Sequence, residues 1–272
     1  MDIFKEEGLG IARIRIEESD SNYNYVFWCK ETGECAVVDP IDPIEILNFV
    51  RDSGLMVKYV INTHCHPDHI EGNDPIIKVA LTSISKILVH PLGIEYVSPR
   101  CGPVDEGDVI KVGNQEIKVI HTPGHCPEHI TLIAGKNAFV GDTLFLSGCG
   151  NIKHRGVVED LFGSIDAKLR TLPEEFRLFV GHDYAESNLG FALDIEPGNE
   201  AAKNKLQEIK SAKAANEEPP PTTVGEEKLY NPFMRYDVPV VVDELKKRNP
   251  DLGTAPGEVF KELRALRDDW TG

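Results

Sequence analysis

Short apolar runs, separated by turns, predict β-strands at the start of the chain. Residues 11–16 (IARIRI) and 23–29 (YNYVFWC) are rich in β-forming side chains, and the turn KETGE leads into the apolar run CAVVD. This order predicts that the fold begins with antiparallel strands.

A helix and a strand then lead to a cluster of polar residues. In DPIEILNFVRDSG the apolar residues Ile44, Leu47 and Val50 recur at helical spacing, and Gly54 stands where a helix commonly ends. The following run VKYVIN is a strand by its composition. We therefore expect the segment THCHPDH to lie at the carboxyl end of that strand.

More strands are predicted up to residue 181, and several end in a polar side chain. They are KILVH (86–90), VIKV and EIKVIH on either side of a turn at Gly113 and Asn114, HITLIA, NAFVGD and RLFVG, with a helix at roughly 159–171. His121, Asp142 and His182 follow three of these strands. Strand ends of this kind are where α/β folds place their sites.

The last third of the chain has a different pattern. NEAAKNKLQEIKSAKAAN and PGEVFKELRALRDDW are strongly helical, and the proline-rich segment EEPPPTTVGEE connects them. The change in pattern predicts an α/β domain over residues 1–185 and a helical domain over residues 186–272.

Charge and targeting signals narrow the class of protein. Lys and Arg total 29 against 45 Asp and Glu, for a net charge of -16, which disfavours nucleic acid and anionic membranes as partners. No signal peptide or long apolar run is visible, so we expect a cytoplasmic protein. The six cysteines form no C-x-x-C pair, which favours reduced, packed thiols. The oligomeric state is open at this point.

The segment THCHPDH has the highest density of potential metal-binding side chains in the chain. In an extended segment His64 and His66 point to one side and Cys65 to the other. Pro67 is expected to end the strand, and the turn that it begins can bring Asp68 and His69 to a neighbouring point. A single histidine is usually a hydrogen-bonded structural residue. Four imidazole and carboxylate groups in six residues instead favour metal binding, with room for two ions.

Three later residues complete the pattern: His125 in TPGHC, Asp142 in VGDTLF and His182 in VGHDY. With H-x-H-x-D-H they resemble the signature of the metallo-β-lactamase superfamily. That resemblance implies an α/β fold, a four-layer αββα sandwich, here followed by a helical C-terminal domain.

Within that superfamily the chain resembles glyoxalase II, the hydroxyacylglutathione hydrolases. The similar segments are GDTLFLSGCG, GHDYAESNLGFALDIEPGNEAA, EEKLYNPFMR and LRALRDDW. The resemblance implies that one metal is held by His64, His66 and His125, the other by Asp68, His69 and His182, with Asp142 bridging. It also implies two divalent ions, with zinc expected and iron or manganese as alternatives, and assigns catalytic roles to Asp68 and Asp142.

The same resemblance implies a small-molecule thioester substrate, such as S-D-lactoylglutathione. Tyr184, Arg264 and Arg267 are the expected substrate-binding residues. After Gly150 the family's cation and two aromatic residues are replaced by Asn151, Ile152 and Lys153. Lys153 or Arg155 can restore the charge from a shifted position, so the identity of the thiol carrier stays open.

Two rival functions remain at the level of the sequence. One is a persulfide dioxygenase of the same superfamily, which uses a single iron and usually lacks the NPFMR region. The other is a catalytically silent metal-binding protein, although all seven ligand positions are present. Cys126, next to His125, is expected to pack rather than to act as a nucleophile.

Overall fold

A computed structural model describes residues 1–16, 21–80, 86–97 and 101–272. By their internal contacts these residues form two units. The first unit consists of residues 1–121, 128–141 and 181–183, and the second of residues 122–127, 142–180 and 184–272.

The first unit holds eleven of the described strands and three of the described helices. Its strands are β1 (Asp2–Lys5), β2 (Leu9–Ile16), β3 (Asn22–Cys29), β4 (Glu34–Val38), β5 (Met56–Ile61), β6 (Lys86–Val89), β7 (Cys101–Pro103), β8 (Val109–Val112), β9 (Gln115–His121), β10 (Ile130–Ala134) and β11 (Asn137–Gly141). Its helices are α1 (Pro43–Asp52), α2 (Pro67–Ile70) and α3 (Asn73–Ala80). A short 3-10 segment covers Pro91–Tyr96.

The strands β1 to β7 form one sheet in sequence order. Pairing is antiparallel from β1 to β4 and parallel from β4 to β7, with Val38 opposite Ile61 in the β4–β5 register. The strands β8 to β11 pair antiparallel in a second sheet. Because β4 and β5 run parallel, the residues that follow them emerge at the same edge of the first sheet.

The helix α1 and its predicted end are confirmed, although Ile44 of the predicted apolar set is exposed. Asp42 caps the helix by accepting a hydrogen bond from the Ile44 N–H at 2.8 Å, and Gly54 lies in the left-handed region at φ +66°. The expected role of Pro67 needs correction: β5 already ends at Ile61, and Pro67 begins α2. Proline suits this first helical position because its missing N–H would have no partner inside the helix.

The core of the first unit is apolar and continuous. Side chains of the first sheet pack against α1 and α3, with Val26, Val37, Ile46 and Ile76 fully buried. Between the two sheets the rings of Tyr25 and Phe139 meet edge to face, 5.3 Å apart. Hydrophobic burial on this scale fixes the strands whose ends carry the polar residues.

The second unit is mostly helical. Its elements are β12 (Leu144–Phe145), β13 (Gly148–Cys149), α4 (Val158–Ser164), β14 (Arg177–Val180), α5 (Ala185–Ile195), α6 (Glu200–Ala214), α7 (Val224–Tyr230), α8 (Pro239–Arg248) and α9 (Pro256–Asp269). The predicted helix at 159–171 is interrupted, because α4 passes into a π-helical turn at Ile165–Leu169. The helices predicted in the last third are confirmed as α6 and α9.

Aromatic and aliphatic side chains hold the second unit together. Phe233 lies 5.4 Å from Phe260 of α9 and 6.2 Å from Phe191 of α5, measured between ring centroids. Thr223 and Glu226 form a reciprocal capping box at the start of α7. Two sheets, helices packed on them and the helical region α5–α9 confirm the predicted α/β fold class.

Among the described residues, no helix combines the length and the apolar character needed to cross a membrane.

Candidate metal centre and carrier pocket

A buried carboxylate organises the polar edge of the first sheet. Asp39 directly follows β4, at φ +49°, and its N–H donates to the Ile61 carbonyl of β5 at 3.1 Å. Its carboxylate accepts from the Thr63 N–H at 2.7 Å and the Thr63 hydroxyl at 2.6 Å. The second oxygen also lies 3.1 Å from His69 Nδ1. Asp39 therefore fixes both the chain and an imidazole.

Asp68, His69 and His182 converge within the first unit. His69 Nε2 is 3.3 Å from His182 Nε2 and 3.6 Å from Asp68 Oδ2, and Asp68 Oδ2 is 3.4 Å from His182 Nε2. The Asn22 side-chain amide donates to the same carboxylate oxygen at 3.1 Å. Both imidazoles are buried, whereas the Asp68 side chain is partly exposed.

This set fits a divalent metal ion. Because His69 Nδ1–H donates to Asp39, its Nε2 carries a lone pair, which is the arrangement found behind metal-bound histidines. Ligand atoms about 2.0–2.1 Å from a tetrahedral ion lie roughly 3.3 Å apart, which matches the 3.3–3.6 Å separations here. Imidazole with carboxylate suits zinc, iron and manganese.

His64 and His66 lie beside this set, and their rings meet edge to face at 4.6 Å. The Thr63 hydroxyl, which donates to Asp39, accepts from His64 Nδ1 at 3.1 Å, and this leaves His64 Nε2 facing His66 Nδ1 at 3.1 Å. Cys65 points away, with its sulfur 3.5 Å from the Gly93 carbonyl, inside the apolar core. The expected division of this segment into two faces is confirmed.

His125 and Asp142 belong to the second unit. His125 Nε2 is 3.7 Å from Asp142 Oδ2, and His125 Nδ1 donates to the Asn151 carbonyl at 2.7 Å. Both side chains are buried. The hydrogen bond at Nδ1 again leaves Nε2 with a lone pair, here held by a backbone carbonyl instead of a carboxylate.

Two glycines permit this close packing. A Cβ on Gly150 would lie 2.0 Å from the Asp142 carbonyl oxygen, and one on Gly124, at φ +137°, would lie 2.2 Å from the Leu161 backbone. Only glycine fits at both positions, as the segments TPGH and GCG suggest. Cys126 is fully buried, in keeping with its expected packing role.

The second unit also contains a polar cavity of about 180 Å³, called the carrier pocket below. It is lined by Phe145, Cys149, Asn151, Lys153, Tyr184, Asn188, Arg264, Arg267 and Asp268. All four predicted substrate-binding residues are among them. The Tyr184 ring meets Phe145 edge to face at 5.3 Å.

The two arginines of the carrier pocket differ in their partners. Arg264 is buried and donates to the carbonyls of Cys149 and Gly150 at 3.0 and 3.2 Å and to Asp268 at 3.0 Å. Arg267 donates to the neutral side chains of Ser187 and Asn188. Burial and the neighbouring charge of Arg264 lower the pKa of the Arg267 guanidinium, which means that its charge is poorly compensated and that an anionic ligand beside it would stabilise the charged form.

Sequence reasoning missed the residues that support the ligands. Asp39 and Asn22 in the first unit and the Asn151 carbonyl in the second hold imidazoles or a carboxylate in place. For Asp39 a signal existed, because an acidic residue followed by proline ends the apolar run CAVVDP. The Asn151 contact had none, because a backbone carbonyl leaves no trace in the sequence.

A further group in the first unit, His90, Asp105 and His121, has a different geometry. The two imidazoles stack almost in parallel, 4.1 Å apart at 11°, and His90 Nε2 lies 3.2 Å from Asp105. His90 Nδ1 accepts from the Leu92 N–H, which places the ring proton on Nε2. Burial lowers the pKa of His90. Parallel rings do not aim their lone pairs at one point, so this group is a hydrogen-bonded stack.

Family models match nearly the whole chain. Residues 20–182 match the metallo-beta-lactamase superfamily, and residues 183–270 match the hydroxyacylglutathione hydrolase C-terminus. A hydroxyacylglutathione hydrolase of Nitrosococcus oceani is 38% identical over 92% of this chain and 95% of its own length. The cytoplasmic hydroxyacylglutathione hydrolase of Arabidopsis thaliana is 33% identical over 92% of this chain and 96% of its own.

Solved structures show the same fold at lower identity. ETHE1 from Myxococcus xanthus superposes with a TM-score of 0.65 at 23% identity, covering 94% of this chain and 97% of that one. A metallo-beta-lactamase from Staphylococcus aureus gives 0.66 at 23% identity, covering 97% and 72%. These likenesses confirm the fold. The sequence matches show that the chain belongs to the hydroxyacylglutathione hydrolases, a family of thioester hydrolases within the metallo-β-lactamase superfamily.

Proposed function

We propose that this protein is a dinuclear metal hydrolase that cleaves a hydroxyacyl thioester, such as S-D-lactoylglutathione, to a 2-hydroxy acid and a free thiol. The observation that carries this proposal is the convergence of His69, His182 and Asp68 within 3.3–3.6 Å, with Asp39 behind His69. This set would hold one ion. His64, His66 and His125 would hold the other, and Asp142 would bridge the two.

The bound ions and the residues around them would have different roles in thioester cleavage. Bound divalent ions would lower the pKa of a bound water and would polarise the thioester carbonyl. Asp39 and the Asn151 carbonyl keep the Nε2 atoms of His69 and His125 unprotonated. Asp142 and Asp68 supply negative charge next to these imidazoles. The leaving thiol has a pKa near 8.5, so the thiolate can depart without a strong general acid.

The carrier pocket would bind the thiol part of the substrate. Arg267 and Lys153 supply positive charge, and Tyr184 supplies an aromatic wall. In the family a cation and two aromatic residues follow Gly150, whereas here the Asn151 side chain accepts from the Lys153 N–H at 3.0 Å and shapes a turn. A lost charge-assisted hydrogen bond costs roughly 1.5–3 kcal/mol, or about ten- to a hundredfold in affinity. We therefore expect weak binding of lactoylglutathione and a preference for another carrier.

The match of residues 183–270 to the hydroxyacylglutathione hydrolase C-terminal model supports hydrolysis over persulfide oxidation, since persulfide dioxygenases usually lack that region. We extend the proposal to a cytoplasmic enzyme with zinc as the expected metal, and to residues 186–272 as the substrate-binding domain.

A panel of thioesters tests the proposal on protein whose metal content has been measured. Glutathione, coenzyme A and smaller thiol carriers would be compared by steady-state kinetics, with Lys153→Ala and Arg155→Ala beside wild type. We expect about two ions per chain and hydrolysis of at least one hydroxyacyl thioester. Oxygen uptake with glutathione persulfide, in the absence of thioester hydrolysis, would overturn the proposal. Tight lactoylglutathione binding that neither substitution weakens would overturn the carrier preference alone.

A further inference from the structure

We propose that Arg264 is a positioning residue for the metal ligand His125, acting through the backbone of residues 149–151 and not through the substrate. The inference rests on the proposed function, because it takes His125 as a ligand. It concerns how the C-terminal helix α9 controls the orientation of an imidazole to which it contributes no ligand atom.

The first link is between α9 and the loop formed by residues 145–151. Arg264 Nη1 donates to the Cys149 carbonyl at 3.0 Å and to the Gly150 carbonyl at 3.2 Å. Its guanidinium is buried, lies over the Phe233 ring at 5.3 Å and is paired with Asp268. A planar group held on these sides keeps two successive carbonyls in one orientation.

The second link is between the loop and the imidazole. The next carbonyl along the chain, that of Asn151, accepts from His125 Nδ1 at 2.7 Å. Gly150 approaches so closely that a Cβ there would lie 3.0 Å from His125 Nδ1 and 2.0 Å from the Asp142 carbonyl oxygen. The loop is therefore packed tightly against His125. A shift of the backbone at Gly150 would move the Asn151 carbonyl oxygen, which orients the His125 imidazole.

Other side chains hold the earlier part of the loop. The Asn188 amide donates to the Leu146 carbonyl at 3.0 Å, and the Asn231 amide donates to the Gly148 carbonyl at 3.0 Å. Glu227 accepts from the Ser147 N–H at 2.8 Å. Arg264 contacts the two carbonyls that immediately precede the His125 acceptor, so its removal is expected to loosen that end while the rest stays fixed.

The consequence concerns the proton on His125. The Asn151 carbonyl keeps the proton on Nδ1, so that the lone pair of His125 lies on Nε2, the atom that would bind a metal. Loss of such a supporting contact typically costs 10- to 100-fold in metal affinity. Arg264 does not contact His125 itself but the two carbonyls that precede the one His125 binds, so we expect an effect at the lower end of this range. The ion held by His125 should be released about tenfold faster, and release of the other ion should not change.

The experiment measures metal release to a chelator from the fully loaded protein and, separately, the His125 Nδ1–H signal in metal-free protein by ¹⁵N-histidine NMR. The variants are Arg264→Ala and Arg264→Lys. The matched control is Lys261→Ala, one turn earlier on α9, where the exposed side chain pairs with Glu159 rather than with the loop. We expect Arg264→Ala to release one of two ions about tenfold faster and to speed exchange of the Nδ1 proton. Arg264→Lys should fall between it and wild type, and the control should match wild type.

Each outcome separates this inference from the proposed function. Unchanged release of both ions and unchanged proton exchange, in either folded Arg264 variant, would overturn it. A raised KM with those two readouts intact would make Arg264 a substrate contact instead. If Arg264→Ala does not fold, Arg264→Lys decides, because a single ammonium nitrogen cannot contact both carbonyls and Asp268 as the two guanidinium nitrogens do. Wild-type protein that binds fewer than two ions would overturn the proposed function itself.

Discussion

Two buried carboxylates, Asp39 in the first unit and Glu227 in the second, each hold a loop, and their surroundings differ. Asp39 accepts from Thr63 and from His69, whose imidazole faces the other proposed metal ligands, Asp68 and His182. Glu227 accepts from the neutral Ser147 N–H and Asn231 amide, and its burial raises its pKa to about 7. A buried carboxylate beside a prospective cation supports metal binding, whereas one among neutral donors tends to take up a proton.

The largest loss of activity is expected when a proposed metal ligand is removed, rather than a residue that hydrogen-bonds to a ligand. Asp142→Ala should lower thioester hydrolysis by at least about a thousandfold, since several kcal/mol of charge stabilisation depends on the bridged ions. Steady-state rates and metal content per chain would be measured together. A variant that keeps most of its activity would eliminate the shared-metal mechanism.

The next effect concerns Glu227 and pH. Its pKa in the folded protein, about 7, lies above the usual 4.5, so the folded state holds the proton more tightly than the unfolded state. The contribution to stability is present below about pH 4.5 and is lost as pH rises to about 7, by at most ~3 kcal/mol. Glu227→Gln should flatten this dependence.

Denaturant unfolding of wild type and Glu227→Gln across pH 5–8 checks that sign. Glu217→Gln, on an exposed loop, serves as the control and should keep the wild-type dependence. If wild type gained stability over this range relative to Glu227→Gln, the Glu227 carboxylate would be ionised and stabilising. The proposed difference between Asp39 and a protonated Glu227 would then be wrong.

Asp39→Asn tests the role of the other buried carboxylate, that of Asp39. An amide can accept from the Thr63 N–H, but its NH₂ group would then face His69 Nδ1–H and the Thr63 hydroxyl. We expect the proton of His69 to move to Nε2 and metal affinity to fall by 10- to 100-fold. Competition with a chelator measures this change. Asp42→Asn, which preserves a capping residue at α1, should leave the affinity as it is.

The smallest effect is expected in the carrier pocket. Arg267→Ala should raise KM for an anionic thioester about tenfold, the lower end for a lost charge-assisted hydrogen bond. Metal content and kcat should change little, because Arg267 contacts Ser187 and Asn188 rather than the loop. A fall in kcat at unchanged KM would place Arg267 nearer to the reacting atoms.

The sequence by itself determined the strand ends and the side chains placed there. Runs of β-forming residues predicted β2 and β3, helical spacing predicted α1, helix propensity predicted α9, and glycine predicted the end of α1 at Gly54. The segment THCHPDH placed His64 and His66 on one face because side chains alternate in extended chain. These features depend on residues close together in the chain, so local patterns suffice to predict them.

Only the tertiary structure decided what supports those side chains. Asp39 reaches His69 across 30 positions, and Arg264 reaches Cys149 across 115. Such contacts depend on the register of parallel strands and on helix packing, which no local pattern encodes. The carbonyl of Asn151 is a further case, because every residue carries the same backbone acceptor and only its position in space makes this one orient His125.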